Sequence, residues 1–277
     1  MDLPTLEAIL PVHDDEELRA ALTGDLTTSV LAGGTWLFSV PQPHLRTLVD
    51  VTTLGWEPFT VTEQGLRISA TCPISALLDL PAVPGWRAQP LVKQCVRALL
   101  ASFKVRSVAT VGGNICLSLP AGSMTSLTAA LEGVVELWAG DGCVRRLPVA
   151  EFVTGDTRNA LAPGEVLRAI DVPAAAMRAR TAFRRTSLSR LGRSASLVIG
   201  RFDPDGGFVL TVTAATSRPV LLRYPELPDP AAAVVDVAAA VDAGPGWFDD
   251  VHGAPDWRRA MTLRSAAEVT AELGGAA

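Results

Sequence analysis

Apolar and polar positions change period several times along this chain, and each change marks an element. Asp14-Asp15-Glu16-Glu17-Leu18-Arg19-Ala20-Ala21-Leu22 sets acids ahead of apolar residues at helical spacing, so a short helix is predicted over 14–22, its first-turn acids favoured by the helix macrodipole. Thr28-Ser29-Val30-Leu31 predicts a strand running into Ala32-Gly33-Gly34-Thr35. Trp36 to Val40 then reads as a short helix stopped by Pro41 and Pro43, and Leu48-Val49-Asp50-Val51 as a second strand. Alternation from Phe59 to Ala70 around Gly65 predicts a hairpin that opens a second subdomain. Helices are predicted over 74–80 and 91–103, the latter with Val92, Cys95, Val96, Leu99 and Leu100 on one stripe.

Ser107 to Val111 reads as an extended run into Gly112-Gly113-Asn114. A bend at Leu119 to Ser123 leads into a helix over 124–131, with Ser123 as its candidate N-cap. Val134 to Trp138 and Val144 to Pro148 flank Asp141-Gly142 as a second hairpin, and Glu165 to Val172 is a strand ending at Pro173. Composition changes at Ala174 to Met177, which predicts a domain boundary. Beyond it lie strands Ser196 to Phe202 and Phe208 to Ala214 around Asp205-Gly206-Gly207, then helices over 231–241 and 256–273.

The two glycine turns, Ala32-Gly33-Gly34-Thr35 and Thr110-Val111-Gly112-Gly113-Asn114, are the candidate chemistry. Each ends an apolar run in a polar side chain, as a phosphate site requires: glycine lets an anion approach the main chain, and successive N–H groups form an anion-binding concavity. Together they read as two halves of a pyrophosphate cradle. Neither has the GxGxxG spacing, and no Gly-Lys-Ser/Thr sequence occurs in the chain.

Composition narrows the classes. With 277 residues, 48% hydrophobic, the chain can bury a substantial core, and a net charge of −5 gives no field to concentrate nucleic acid or an anionic membrane. No apolar stretch is long enough to span a bilayer, and the start lacks a secretory pattern, so a cytoplasmic location is expected. Cys72, Cys95, Cys116 and Cys143 are scattered singly and read as small hydrophobes, not as metal ligands. His13, His44 and His252 are few and dispersed and read as surface or capping residues. Lysine occurs only at 93 and 104, so any lysine role falls to arginine. Seven arginines between Arg178 and Arg201 fit a solvated strand face, a partner's acidic surface or nucleotide phosphates.

Leu31-Ala32-Gly33-Gly34-Thr35-Trp36-Leu37, Val105 to Asn114 and Asp250-Val251-His252-Gly253-Ala254-Pro255-Asp256-Trp257-Arg258-Arg259 resemble three successive signatures of the flavin-binding medium subunit of molybdenum hydroxylases, the xanthine dehydrogenase and carbon monoxide dehydrogenase family. The resemblance spans the chain and includes Val149-Ala150-Glu151-Phe152. It implies an α+β fold: a p-cresol methylhydroxylase-type FAD domain over 1–176, with subdomains of about 1–56 and 57–176, and a C-terminal antiparallel-sheet-and-helix domain over 177–277.

By that resemblance, backbone groups of Ala32, Gly33, Gly34, Thr35 and Trp36 hold the FAD pyrophosphate, and Leu31 and Leu37 line the slot. Ala109, Thr110, Gly113 and Asn114 contact the cofactor, Asn114 through its side-chain amide. Ser123 stands where relatives carry a ribose-gripping aspartate, Val166 and Leu167 pack on a cofactor ring, and Arg184 replaces a lysine near the flavin. Ser194 also departs from an acidic position. Molybdopterin and [2Fe–2S] clusters are implied on a large and a small partner chain. This chain then passes electrons through FAD to NAD, oxygen or another acceptor. A stand-alone flavin oxidase of this fold, or a scaffold subunit that has lost FAD, are the alternatives.

Overall fold

The computed structural model describes residues 3–275, arranged around three larger sheets and one two-stranded ribbon. The first unit holds β1 (Ala8–Pro11), α1 (Asp15–Ala21), β2 (Thr28–Leu31) and β3 (Thr47–Asp50), with parallel strands in the order β1-β3-β2. Helix α1 starts where its sequence predicts, because Asp14 accepts the N–H groups of Glu16 and Glu17 at 3.0 and 2.8 Å, and Glu17 reaches back to the His13 N–H at 2.8 Å. Strand β1 carried no legible signal: Ile9 and Leu10 are half exposed at the sheet edge.

The second unit runs β4 (Phe59–Thr62), β5 (Gly65–Ser69), α2 (Gln89–Ala98), α3 (Phe103–Val108), α4 (Val111–Leu117), α5 (Ser123–Ala130), β6 (Val134–Ala139), β7 (Val144–Pro148), α6 (Val149–Phe152), β8 (Val153–Gly155), β9 (Arg158–Asn159), β10 (Glu165–Pro173) and α7 (Ala174–Arg178). Its antiparallel sheet has the order β4-β5-β10-β6-β7. Both predicted hairpins are present, the second turning at Gly142 with φ of +87°.

Three predicted boundaries differ. The single helix expected over 91–103 ends at Ala98, and Ser102 restarts the chain as α3 by accepting the Val105 N–H at 3.2 Å. The run expected to be extended from Ser107 is therefore helical to Val108, leaving Ala109 and Thr110 as the only break before α4. The short helix expected after Thr35 is one turn, closed by Phe38 N–H to Gly34 O at 3.0 Å and Ser39 N–H to Trp36 O at 2.8 Å.

The third unit has β11 (Arg180–Thr186), β12 (Ser196–Phe202), β13 (Phe208–Thr213) and β14 (Val220–Tyr224) in sequential antiparallel order, then α8 (Pro230–Asp242) and α9 (Pro255–Gly275). Helices α8 and α9 cover one face of this sheet through Val237, Val241, Val269 and Leu273. The other face packs on α5, every residue of which is buried, with α2, α4 and α6 around the rest of it; most of its residues are small. One core consequently runs from Ile68 and Leu137 through Leu127 to Leu197 and Ile199.

The first unit docks on the five-stranded sheet at a bulge. Strand β10 pairs Leu167 with Leu137 and Ala169 with Glu136, leaving Arg168 as the extra residue. Its guanidinium lies 4.0 Å from the Trp56 ring centre and 5.2 Å from that of Trp138. Its buried Nε has no acceptor, so the aromatic faces take the place of one. The bulge re-aims Val166 into the core of the first unit while Leu167 stays in the second. No helix among the described residues is long and apolar enough to cross a membrane.

Candidate functional site

The two glycine turns touch. A Cβ at Gly33 would lie 2.1 Å from the Val108 carbonyl oxygen and 3.0 Å from the Ala109 Cα, so this glycine is required by contact with the approach to the second turn. Gly34 is required by its φ of +65°. Between the turns opens a cleft of about 370 Å³, lined by the whole run Leu31 to Leu37 and by Ala109, Thr110, Gly113 and Asn114. A second lobe of about 400 Å³ is lined by Thr28, Asn159, Glu165, Val166 and Leu167 among others. The lobes meet at Val30, Ala32, Gly113 and Cys116, which line both.

The turns differ in what they offer. The N–H groups of Ala32 through Leu37 find no acceptor among the described residues, so the first turn presents a run of unused donors to the cleft. In the second turn the donors from Val111 to Asn114 are spent, and the Thr110 N–H alone finds no acceptor among the described residues. Val111 N–H donates to Cys72 O at 2.9 Å, Gly112 N–H to Ala70 O at 3.0 Å, and Gly113 N–H to the capping Thr110 Oγ1 at 3.0 Å. The expectation of two amide cradles is corrected accordingly: the first turn offers a run of free donors, and the second offers one N–H, at Thr110, and otherwise shape. Gly112 permits close packing of α4 on Ala70, where a Cβ would sit 2.6 Å from the Ala70 Cβ, and exposed Gly113 leaves the cleft wall bare.

Asn114 has two ends with separate duties. Its Oδ1 accepts the Met124 N–H at 3.0 Å, capping α5 from a neighbouring helix, because the residue at the capping position of α5 is Gly122. Its amide NH2 has no partner among the described residues and belongs to a cleft residue. Ser123, expected as the cap, is instead the first residue of α5, fully buried, with its hydroxyl unpartnered, and it does not line either lobe. Its neighbours Ala121 and Gly122 line the cleft in its place.

Arg184 is also displaced from the cleft. Strand alternation turns it to α9, where it pairs with Glu268 at 2.9 Å and Glu272 at 2.7 Å. The next residue, Arg185, faces the other way with Phe183 and donates to Ser194 Oγ at 2.8 Å and to Gly192 O. Ser194 and Arg193 line the cleft, so the cation of its wall is Arg193, and Arg185 holds Ser194 from behind; sequence reading passed over both. The alternation about Phe183 was the available signal. Cys116 is a wall residue whose thiol burial pushes up to about 12, so it stays protonated at neutral pH. In the second lobe, burial works to raise the Glu165 pKa, but hydrogen bonds from Arg145 and the Ala162 N–H outweigh it and hold the carboxyl below its ordinary value.

The third signature, Asp250 to Arg259, does not enter the cleft; it braces it. Arg258 is 1% exposed, and its guanidinium donates to Gly253 O at 2.7 Å, Ala195 O at 2.8 Å, Ala214 O and the Asp250 carboxylate. Ala195 follows the cleft residue Ser194, and the Ala214 N–H donates to Pro120 O at 2.9 Å in the bend that carries Ala121 and Gly122. One side chain from the last helix thus fixes two walls.

Residues 8–175 match the model of the FAD binding domain in molybdopterin dehydrogenase. The chain belongs to this family. It is 30% identical over 150 residues to XdhB of Escherichia coli (strain K12), named as a xanthine dehydrogenase FAD-binding subunit, a match covering 52% of this chain and 50% of that protein. It is 24% identical to the 6-hydroxypseudooxynicotine dehydrogenase complex subunit alpha of Paenarthrobacter nicotinovorans over 98% of this chain and 94% of that one. The fold is that of a chain of the carbon monoxide dehydrogenase of Oligotropha carboxidovorans, with a TM-score of 0.82 at 20% identity, and of the quinoline 2-oxidoreductase of Pseudomonas putida 86, with 0.80 at 20%; each pairing covers 98% of both chains. The family's members are FAD-binding oxidoreductase subunits, and the unused donors of the first turn and the bare wall at Gly113 fit that cofactor.

Proposed function

We propose that this chain is the FAD-binding electron-transfer subunit of a molybdenum hydroxylase, receiving reducing equivalents from iron–sulfur clusters on a small partner chain and passing them to NAD, oxygen or another acceptor. Substrate oxidation would take place at molybdopterin on a large partner chain. The observation that carries the reading is the run of unused backbone donors from Ala32 to Leu37 on the wall of a two-lobed cleft.

The residues that would hold the cofactor divide by type. Backbone N–H groups of Ala32 through Trp36 would take the diphosphate, and Leu31, Leu37, Val166 and Leu167 would supply apolar walls. Thr110 and the NH2 of Asn114 would add polar contacts, with Ala109 and Gly113 as the bare surface between them. Ser123 and Arg184 would support the site from outside it, Ser123 through α5 and Arg184 through α9. FAD, when bound, supplies the exchange between one-electron carriers and a two-electron acceptor. The chain's own part is placement and electrostatics: Arg193 would put positive charge at the cleft, where it favours an electron-rich ring, and Arg185 would hold the neighbouring Ser194 in place.

The test is a Gly113→Val variant purified in parallel with the unaltered chain, followed by flavin extraction and circular dichroism. The unaltered chain is expected to carry FAD, and the variant to be folded and colourless. A folded variant with full flavin overturns the site.

A further inference from the structure

Both lobes of the cleft lie in one seam of the chain. Residues 31–37 share the first lobe with Thr110 and Gly113, and Val49 and Val51 share the second with Val166 and Leu167, so residues 3–56 supply one wall of each. Among the described residues, every hydrogen bond and ion pair runs within 3–56 or within 57–275, and none crosses the seam. The backbone passes from one side to the other beside Gly55, which has a φ of +61° and open space where a Cβ would stand. What holds the first unit in place is apolar packing, with Val166 among Val12, Leu18, Val49 and Val51, close backbone approaches at Gly33 and Gly140, and cation–π contacts from Arg168 and Arg19.

Arg168 acts on both sides of that seam. Its guanidinium lies 4.0 Å from the ring centre of Trp56, the residue after Gly55, and makes no hydrogen bond among the described residues, its buried Nε included. Trp138 backs it at 5.2 Å; that ring is fixed by its own Nε1–H, which donates to Glu136 at 3.1 Å, and it meets Trp56 edge-on with ring centres 6.0 Å apart. Through its main chain the same residue reaches the second glycine turn, since Arg168 O accepts the Ala70 N–H at 3.1 Å and Ala70 O accepts the Gly112 N–H at 3.0 Å. None of Arg168, Trp56 and Trp138 lines either lobe. We infer that Arg168 is a positioning residue: seated on Trp56, it holds residues 3–56 at the distance from the second turn that FAD requires. The inference rests on the FAD reading above. Apolar packing has no preferred direction, whereas a planar cation over a ring face does, so this clamp sets the width of the cleft from outside it.

The full chain carrying Arg168→Met, Trp56→Leu, both together, or Trp56→Phe is stripped of flavin, checked for folding by circular dichroism, and compared with the unaltered chain in FAD affinity and hydrogen exchange. Phenylalanine keeps a ring face for the cation, and the double variant reports whether the two side chains act as one contact. Arg168→Met and Trp56→Leu are each expected to weaken FAD binding at least tenfold and to speed exchange in β2 and β3 at least tenfold, with β12 unaltered. The double variant should be no weaker than the single ones, and Trp56→Phe should stay within threefold of the unaltered chain. The two Trp56 variants decide alone should Arg168→Met not fold. Unaltered affinity in the single variants, losses that multiply in the double one, exchange that rises equally in β12, or Trp56→Phe as weak as Trp56→Leu overturns the clamp and leaves the flavin site standing. An unaltered chain that takes up no FAD overturns the flavin site and the positioning role together.

Discussion

Exchanging Asn114 for alanine and for aspartate separates scaffold from cofactor contact at one position. The Asn114 oxygen caps the N–H of Met124, a residue with no exposed surface. Alanine removes that acceptor and leaves a buried donor unpaired, a loss of about 1–3 kcal/mol, of which the capping contribution alone is about 1 kcal/mol. Aspartate retains an oxygen for the same N–H and adds a charge that a helix N-terminus favours by about 0.3–1 kcal/mol, so the cofactor-free fold should hold its stability. It does lose the NH2 donor, worth about 0.5–1.5 kcal/mol, and sets an anion beside a diphosphate, which costs about 1 kcal/mol more at 4 Å in water. FAD affinity should therefore fall about tenfold or more in the aspartate variant, with no loss of stability. The assays are urea unfolding of flavin-stripped protein and titration of FAD by quenching of its fluorescence. An alanine variant as stable as the unaltered chain refutes the capping account. An aspartate variant with unaltered affinity refutes the placement of the side chain against the cofactor.

Other consequences are equally open to measurement. Gly33→Ala should cost about 2–3 kcal/mol in unfolding free energy, because its Cβ meets the Val108 carbonyl at 2.1 Å, and Gly113→Ala less than half as much; equal costs would contradict the contact between turns. Arg258→Met should destabilise the chain by about 3 kcal/mol and weaken FAD binding from outside the cleft; a stability loss with unchanged affinity would break the proposed brace. Arg185→Gln should weaken FAD binding while Arg184→Gln leaves it intact, and titration showing the reverse would restore the sequence assignment. Burial works to raise the Glu136 pKa, but hydrogen bonds from Arg67 and Trp138 and the charges of Arg67 and Arg146 win and hold it below 4.5. Its contribution to stability is thus present above 4.5 and lost as pH falls through the lowered value. Glu136→Gln should flatten the acid limb of the unfolding free energy, and an unchanged limb would count against the network.

Much of this architecture was legible because local rules and tertiary contacts agree. Asp14 with Glu17 sets the start of α1, Asp141-Gly142 turns a hairpin, and continuous apolar strands at Ser196 to Phe202 and Phe208 to Thr213 are buried on both faces. Where local rules left two options, the reading failed. Ser102 and Ser123 are both good caps by type, yet the first restarts a helix and the second is buried within one, since Asn114 already supplies the cap from another helix. Strand β1 has half-exposed apolar residues and no alternation, so nothing in its sequence marks it.

What the sequence determined by itself is the family, those elements that a cap, a turn or an apolar period marks, and the two glycine turns as the places to look for an anion site. Those depend on short-range chemistry: the missing Cβ, the period of apolar side chains, the identity of caps and turns. Only the tertiary structure decided that the first turn keeps a whole run of free N–H groups, that Arg184 turns to the last helix while Arg185 holds the cleft residue Ser194, and that the last helix braces the walls through Arg258. The reason is physical. A donor is free or spent according to which carbonyl a distant segment brings to it, and a side chain's face depends on strand register, and neither is encoded within a few residues of the group concerned.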